Sequence, residues 1–279
     1  MITFKQFISE GERTAAISAE EAISQLKQHC GKYLAGMKAG EGNREKIWRG
    51  IPRDAGIYAG NSEQLRPRTS RNTYNYYTLW IDNNPAWADF PKRSQSFICS
   101  ESKSYASGYA DGSLAWVIPF DTAKIGVVPG QDIWDVFDFP DGERMDGFMD
   151  SVAAVFDHFG QGNPSTYQKL VASLKYVTAE RVNEIDEDPH ADKPIEGYYL
   201  ATLKDMLKGR ENLYQTFIEI FKPDDFEHTT AAHFNGSNAK GRELFIQGKV
   251  IFIPTRLDYL DKEEVEKLAN FFYQYHLTL

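Results

Sequence analysis

The apolar residues of this chain change their period twice. Across 145–159, 165–182 and 198–221 they recur at helical spacing, with Leu170, Leu174 and Val177, then Leu203, Met206 and Leu207, on common faces. On either side they come instead as short β-branched and aromatic runs bounded by Gly and Pro: 47–51, 96–100, 114–119, 123–128 and 243–253. Strands drawn from both ends of the chain, with too few helices between them to serve as crossovers, predict an α+β protein rather than a doubly wound parallel sheet.

Boundaries follow from the same pattern. Ser18, with Glu21 three residues later, marks a helix start, and 1–42 is expected to be an N-terminal helical segment ended by Gly36, Gly40 and Gly42. The sheet core is expected over 43–130 and 225–256, with a helical insertion at 131–224 and a last amphipathic helix over 261–277 capped by Asp261. Gln247-Gly248 between two apolar runs predicts a hairpin. The stretch 52–91 reads as an irregular crossing, within which 74–80 suits a short helix or strand. Neither a flexible linker nor an internal repeat divides the chain, so a single domain over 1–279 is expected.

Charge and cysteine usage narrow the setting. Lys plus Arg number 31 against 40 Asp plus Glu, a formal net charge of −9, which gives the whole chain no electrostatic footprint for nucleic acid or an anionic membrane. A local basic patch at 66–71, near Tyr74, Tyr76 and Tyr77, is the exception, and it suits phosphate contact with base stacking. Cys30 and Cys99 lie far apart, without metal-ligand spacing, and fit free thiols in a reducing compartment. No run of eighteen apolar residues and no signal-peptide pattern occurs, so a soluble cytoplasmic protein with no membrane partner is expected.

Most familiar catalytic signatures are missing: there is no phosphate-binding Gly-Lys-Ser/Thr loop, His-Glu-x-x-His, Gly-x-Ser-x-Gly or Cys-x-x-Cys. His228 and His233, five apart, are read as structural or surface residues and no metal is expected. The acidic run 184–192 lacks the Gly and terminal Glu of a calcium loop and reads as a solvated connection.

Three strand-borne elements stand out, in the order Arg, Ser, Glu. Arg49 lies in Ile47-Trp48-Arg49-Gly50; a Ser-rich strand runs from Arg93 through Ser94, Ser96, Phe97 and Ser100 to Ser102; Glu243 immediately precedes the hairpin. After the Ser strand comes an Ala-containing stretch, Tyr105 to Ala110, and then Trp116-Val117-Ile118-Pro119. In order and local context this resembles the mono-ADP-ribosyltransferases of the Arg-Ser-Glu toxin-like class, over about 46–128 and 228–254. Phe90-Pro91-Lys92-Arg93-Ser94 is similar to uncharacterised ADP-ribosyltransferase-like proteins of bacteriophages.

The resemblance implies an ADP-ribosyltransferase-like split β-sandwich core. It also implies NAD as substrate, a macromolecular acceptor that is protein or nucleic acid, and a phage effector acting in the host cytoplasm. It assigns catalysis to Arg49, Ser96, Ser100 and Glu243, and NAD binding to Trp48, Gly50, Ser94, Phe97, Tyr105 and Tyr109. Cleavage of the ribose–nicotinamide bond passes through an oxocarbenium-like species, which a held carboxylate stabilises. A guanidinium suits phosphate or ribose oxygens, and an aromatic face suits nicotinamide. The chain departs from the family pattern at Cys99 and Glu101, where hydroxyls are usual, and at Gly241, two residues before Glu243, which disfavours arginine as acceptor. Two alternatives stand beside it: NAD hydrolysis, a close variant that uses the same site with water as acceptor, and a noncatalytic phage protein that binds a host partner through its helical lobe and acidic surface.

Overall fold

A computed structural model describes residues 15–39, 46–51, 56–64, 67, 74–110, 113–139, 143–185, 197–234, 241–258 and 260–279. In chain order its elements begin with β1 (Ala15–Ala16), α1 (Ala19–His29), α2 (Gly31–Ala39), β2 (Ile47–Ile51), β3 (Tyr58–Asn61) and α3 (Tyr76–Asn83). There follow β4 (Phe97–Ser100), α4 (Lys103–Gly108), β5 (Ser113–Pro119), β6 (Lys124–Val127), α5 (Met145–His158), α6 (Tyr167–Tyr176) and α7 (Ala179–Asn183). The chain ends with α8 (Gly197–Met206), α9 (Leu213–Ile220), β7 (Glu227–Thr230), β8 (Glu243–Gln247), β9 (Lys249–Pro254) and α10 (Lys262–Tyr273). The described residues form two compact units, one of 1–68, 89–133 and 225–279, the other of 69–88 and 134–224.

The first unit is built on one antiparallel sheet of nine strands in the order β1-β3-β9-β5-β2-β4-β8-β6-β7. The class is thus mixed α+β, as the sequence pattern predicts. The Gln247-Gly248 hairpin forms as expected, with Gly248 at φ 127°. Its two strands nevertheless part: β8 pairs with β4 and β6, while β9 pairs with β5 and β3. One core joins α1, α2 and α10 to the sheet through Leu26, Tyr33, Leu34, Val117, Ile251 and Phe272. Cys30 and Cys99 are buried within it, and neither is in a disulfide.

Ser18 caps α1 as predicted, its Oγ accepting from Glu21 N at 3.2 Å. The N-terminal helical stretch is not continuous, because Asp121, distant in sequence, accepts the N–H groups of Lys32 and Tyr33 and starts α2 afresh. Three strands were not anticipated, of which β1 is a two-residue strand paired with β3. β3 falls within the expected irregular crossing and is fixed by long-range pairing to β9, with Phe252 packed close over Gly60. β7, which carries His228, is fixed by its pairing to β6.

The second unit holds α3 and α5–α9. Thr166, Thr178 and Asn212 cap α6, α7 and α9. An aromatic core of Trp80, Phe148, Phe217 and Phe221 fills it, and the buried Trp87 indole donates to Phe221 O at 2.7 Å. The unit extends beyond the expected 131–224 by taking in 69–88, since Trp80 packs against Tyr167, Tyr214 and Phe217. Most of the basic 66–71 stretch and of the acidic 184–192 run lies outside the described residues. Among the described residues no helix is long and apolar enough to cross a membrane.

Candidate functional site

Strands β2, β4 and β8, which carry Arg49, Ser100 and Glu243, are consecutive neighbours in the sheet although 194 residues separate the first of these residues from the last (243 − 49). Ser100 and Glu243 are direct register partners, so their side chains leave the same face. The Ser100 hydroxyl donates to Gly241 O at 3.3 Å and accepts from Ser102 N at 3.0 Å, tying the approach to β8 against β4.

Glu243 is 6% exposed, and its charge is met by Arg93, which is in ion-pair contact with Oε1. Its Oε2 faces the N–H of Ile133 at 3.4 Å. Burial pushes the Glu243 carboxyl above the usual carboxylate range; Arg93 opposes that shift and Asp132 adds to it. Tyr105 and Tyr109, four apart on α4 and its cap, meet through their hydroxyls at 2.8 Å, and Tyr105 donates to Asp132 Oδ2 at 3.2 Å. Burial and the Asp132 charge raise both phenols, and Glu243 adds to the shift at Tyr109. The cluster is therefore a buried carboxylate, its arginine counter-ion, a second carboxylate and two neutral phenols.

Arg49 is placed differently from Ser100. The register partner of Ser100 on β2 is Trp48, so pleat alternation sends Arg49 to the opposite side of β2 from Trp48. There Arg49 is 5% exposed, its Nη1 donates to Ile98 O at 2.5 Å, and its guanidinium lies 5.7 Å from the centre of the Phe97 ring. Trp48 with Ser100 is the single register pair between β2 and β4, and Arg49 fastens the two strands where their ladder is short.

The other expected site residues divide. Ser96 is buried and its hydroxyl donates to Lys92 O at 2.7 Å, while Ser94 sits on the half-buried turn Arg93–Gln95 beside Arg93. Phe97 lies wholly in the core, edge-on to Phe252, and a side chain at Gly50 would meet the backbone of Tyr109 and Ala110 within 3 Å. Neither therefore offers a surface to a ligand. Trp48 does: it lines a cleft of about 780 Å³ together with Lys46, Ser102, Lys103, Gln131 and Gly241. Glu243 is not in the cleft wall, but the wall includes Gly241 and Gln131, close in sequence to Glu243 and Asp132.

Sequence reasoning missed Arg93 and Asp132, because nothing local marks an arginine or aspartate as the neighbour of a carboxylate more than a hundred residues away. It also missed the bidentate pair between Arg242 and Glu101, with N···O distances of 3.0 and 3.1 Å. That pair lies one residue beyond the Ser100–Glu243 pair and locks the β8 start onto β4. Among the described residues no group of three or more His, Cys, Asp or Glu is placed to hold a metal ion. No protein-family model, curated protein or solved structure matches the chain.

Proposed function

We propose that the chain is an NAD-dependent mono-ADP-ribosyltransferase on an ADP-ribosyltransferase-like split β-sandwich core, transferring ADP-ribose to a protein or nucleic-acid acceptor of a phage host. The observation that carries this reading is the direct adjacency of the Arg49, Ser100 and Glu243 strands, with Ser100 and Glu243 paired across the ladder. In this reading the C1′–N bond of NAD breaks and its electron pair leaves on neutral nicotinamide. The oxocarbenium-like sugar is stabilised by the Glu243 carboxylate, and an acceptor oxygen or nitrogen attacks C1′ and gives up a proton.

The surrounding residues support that chemistry in different ways. Arg93 opposes the burial that raises the Glu243 carboxyl, and Ser100 and the Arg242–Glu101 pair fix where β8 begins. Arg49 acts here as a positioning residue that fastens β2 to β4. Tyr105 and Tyr109 join their hydroxyls beside Asp132, and the Glu243 charge reaches Tyr109.

NAD labelled in its adenylate half, incubated with the protein and a host lysate, tests the assignment. Label recovered covalently in a protein or nucleic-acid band supports transfer. Free ADP-ribose as the only labelled product assigns the site to hydrolysis, with water as the acceptor. Intact NAD in every condition leaves the noncatalytic binding function.

A further inference from the structure

Trp48 holds two like charges side by side. Lys46 Nζ lies 5.9 Å from the centre of the Trp48 ring and Lys103 Nζ lies 5.1 Å from it, while Lys46 is also 4.5 Å from the ring of Trp116. Cation–π attraction allows two ammonium groups to gather there despite their mutual repulsion. Each of these contacts exceeds 4 Å, so the lysines remain able to take a closer anionic partner.

Both lysines line the 780 Å³ cleft. The remaining acid in its wall, Glu101, is fully engaged by Arg242 and does not neutralise them. Among the described residues no carboxylate lies within ion-pair distance of Lys46 or Lys103; Lys46 Nζ donates instead to the carbonyl of Thr278. Burial and the neighbouring Lys103 charge make the protonated form of Lys46 harder to keep, and an arriving anion would relieve that. In a chain of net charge −9, this is a local inversion of sign inside a concavity. Ser104 and Ser107 add hydroxyls to the same wall.

We infer that Lys46 and Lys103, gathered on Trp48, form a subsite for the pyrophosphate of a dinucleotide. The anion site stands on the lysines and the cleft alone; its assignment to a dinucleotide rests on the NAD reading above. Trp48 then serves as the floor that positions the lysines rather than as a stacking face for nicotinamide.

Calorimetric titration of inorganic pyrophosphate, ADP-ribose, nicotinamide riboside and a single-stranded DNA oligomer into wild type, Lys103→Met and Trp48→Leu tests this, with circular dichroism confirming that each variant is folded. Lys103 is the primary site because Lys46 also holds the chain end. Loss of the lysine charge is expected to weaken pyrophosphate and ADP-ribose binding about tenfold, the usual worth of one charged contact. Nicotinamide riboside, which lacks pyrophosphate, should bind the variants as it binds wild type. Wild-type affinity for ADP-ribose retained in Lys103→Met overturns the subsite and leaves the NAD reading standing. Lysine-dependent pyrophosphate binding without binding of ADP-ribose keeps the anion site and overturns its assignment to a dinucleotide. Lysine dependence confined to the oligomer, or absent for every ligand, overturns the inference.

Discussion

Glu243 is a carboxylate in surroundings that disfavour one. Its folded-state affinity for a proton is raised by burial and by Asp132, and Arg93 is what holds the charge. Removing that cation leaves a buried charge unmet, so Arg93→Ala is expected to lose about 3–5 kcal/mol of stability in urea unfolding. Arg93→Lys, which keeps the charge but not the fork, should lose less. The sign of the pH dependence follows from the raised pKa. The contribution of Glu243 to stability is fully present below the unfolded pKa, in the ordinary carboxylate range, and is lost as pH rises through the higher folded value. The stability of wild type relative to Glu243→Gln should therefore fall as pH is raised through that window, as measured by urea unfolding at a series of pH values. Nicotinamide release should climb over the same window as Glu243 ionises, and a rate already flat from the ordinary carboxylate range upward would contradict the assignment.

At the scale of elements, the site depends on where β8 starts. Gly241 has φ 62°, and an added Cβ would fall 2.7 Å from that of Ser102. Gly241→Ala is expected to cost about 1–3 kcal/mol and to reduce nicotinamide release by displacing Glu243, whereas Gly209→Ala, also at positive φ but with open space, should leave release unchanged. Much of this level is legible in the sequence. The β2 run, the hairpin and the Ser18 and Asp261 caps rest on local patterns of two to eleven residues, and those elements form where the patterns lie. What is not legible is set by partners far along the chain. Asp121 restarts a helix, β9 recruits a four-residue β3, and Trp80 draws its segment into the helical unit. The same limit applies inside the site: the Ser100–Glu243 pairing follows from strand order, while the Arg93 contact and the side of β2 on which Arg49 lies depend on a register that no short motif encodes.

The described residues have two cores, one joining α1, α2 and α10 to the sheet and an aromatic one among α3 and α5–α9. Tryptophans report on each: Trp48 and Trp116 lie in the sheet unit, Trp80, Trp87 and Trp134 in the helical one. Unfolding followed by calorimetry is expected to depart from a single two-state transition. Arg93→Ala should lower the transition reported by Trp48 and Trp116, leaving that of the helical unit in place; an equal shift in both would show one cooperative unit. All the chemistry proposed here lies in the sheet unit, and its central claim is that Glu243 does work on NAD. The most direct test is nicotinamide release from NAD by wild type beside Glu243→Gln, with and without host lysate. Release that rises with lysate and falls about 100- to 1,000-fold in the variant, the usual cost of losing one transition-state electrostatic partner, is the predicted result. Release unchanged by the substitution, or none from the folded wild-type protein in any condition, would contradict it.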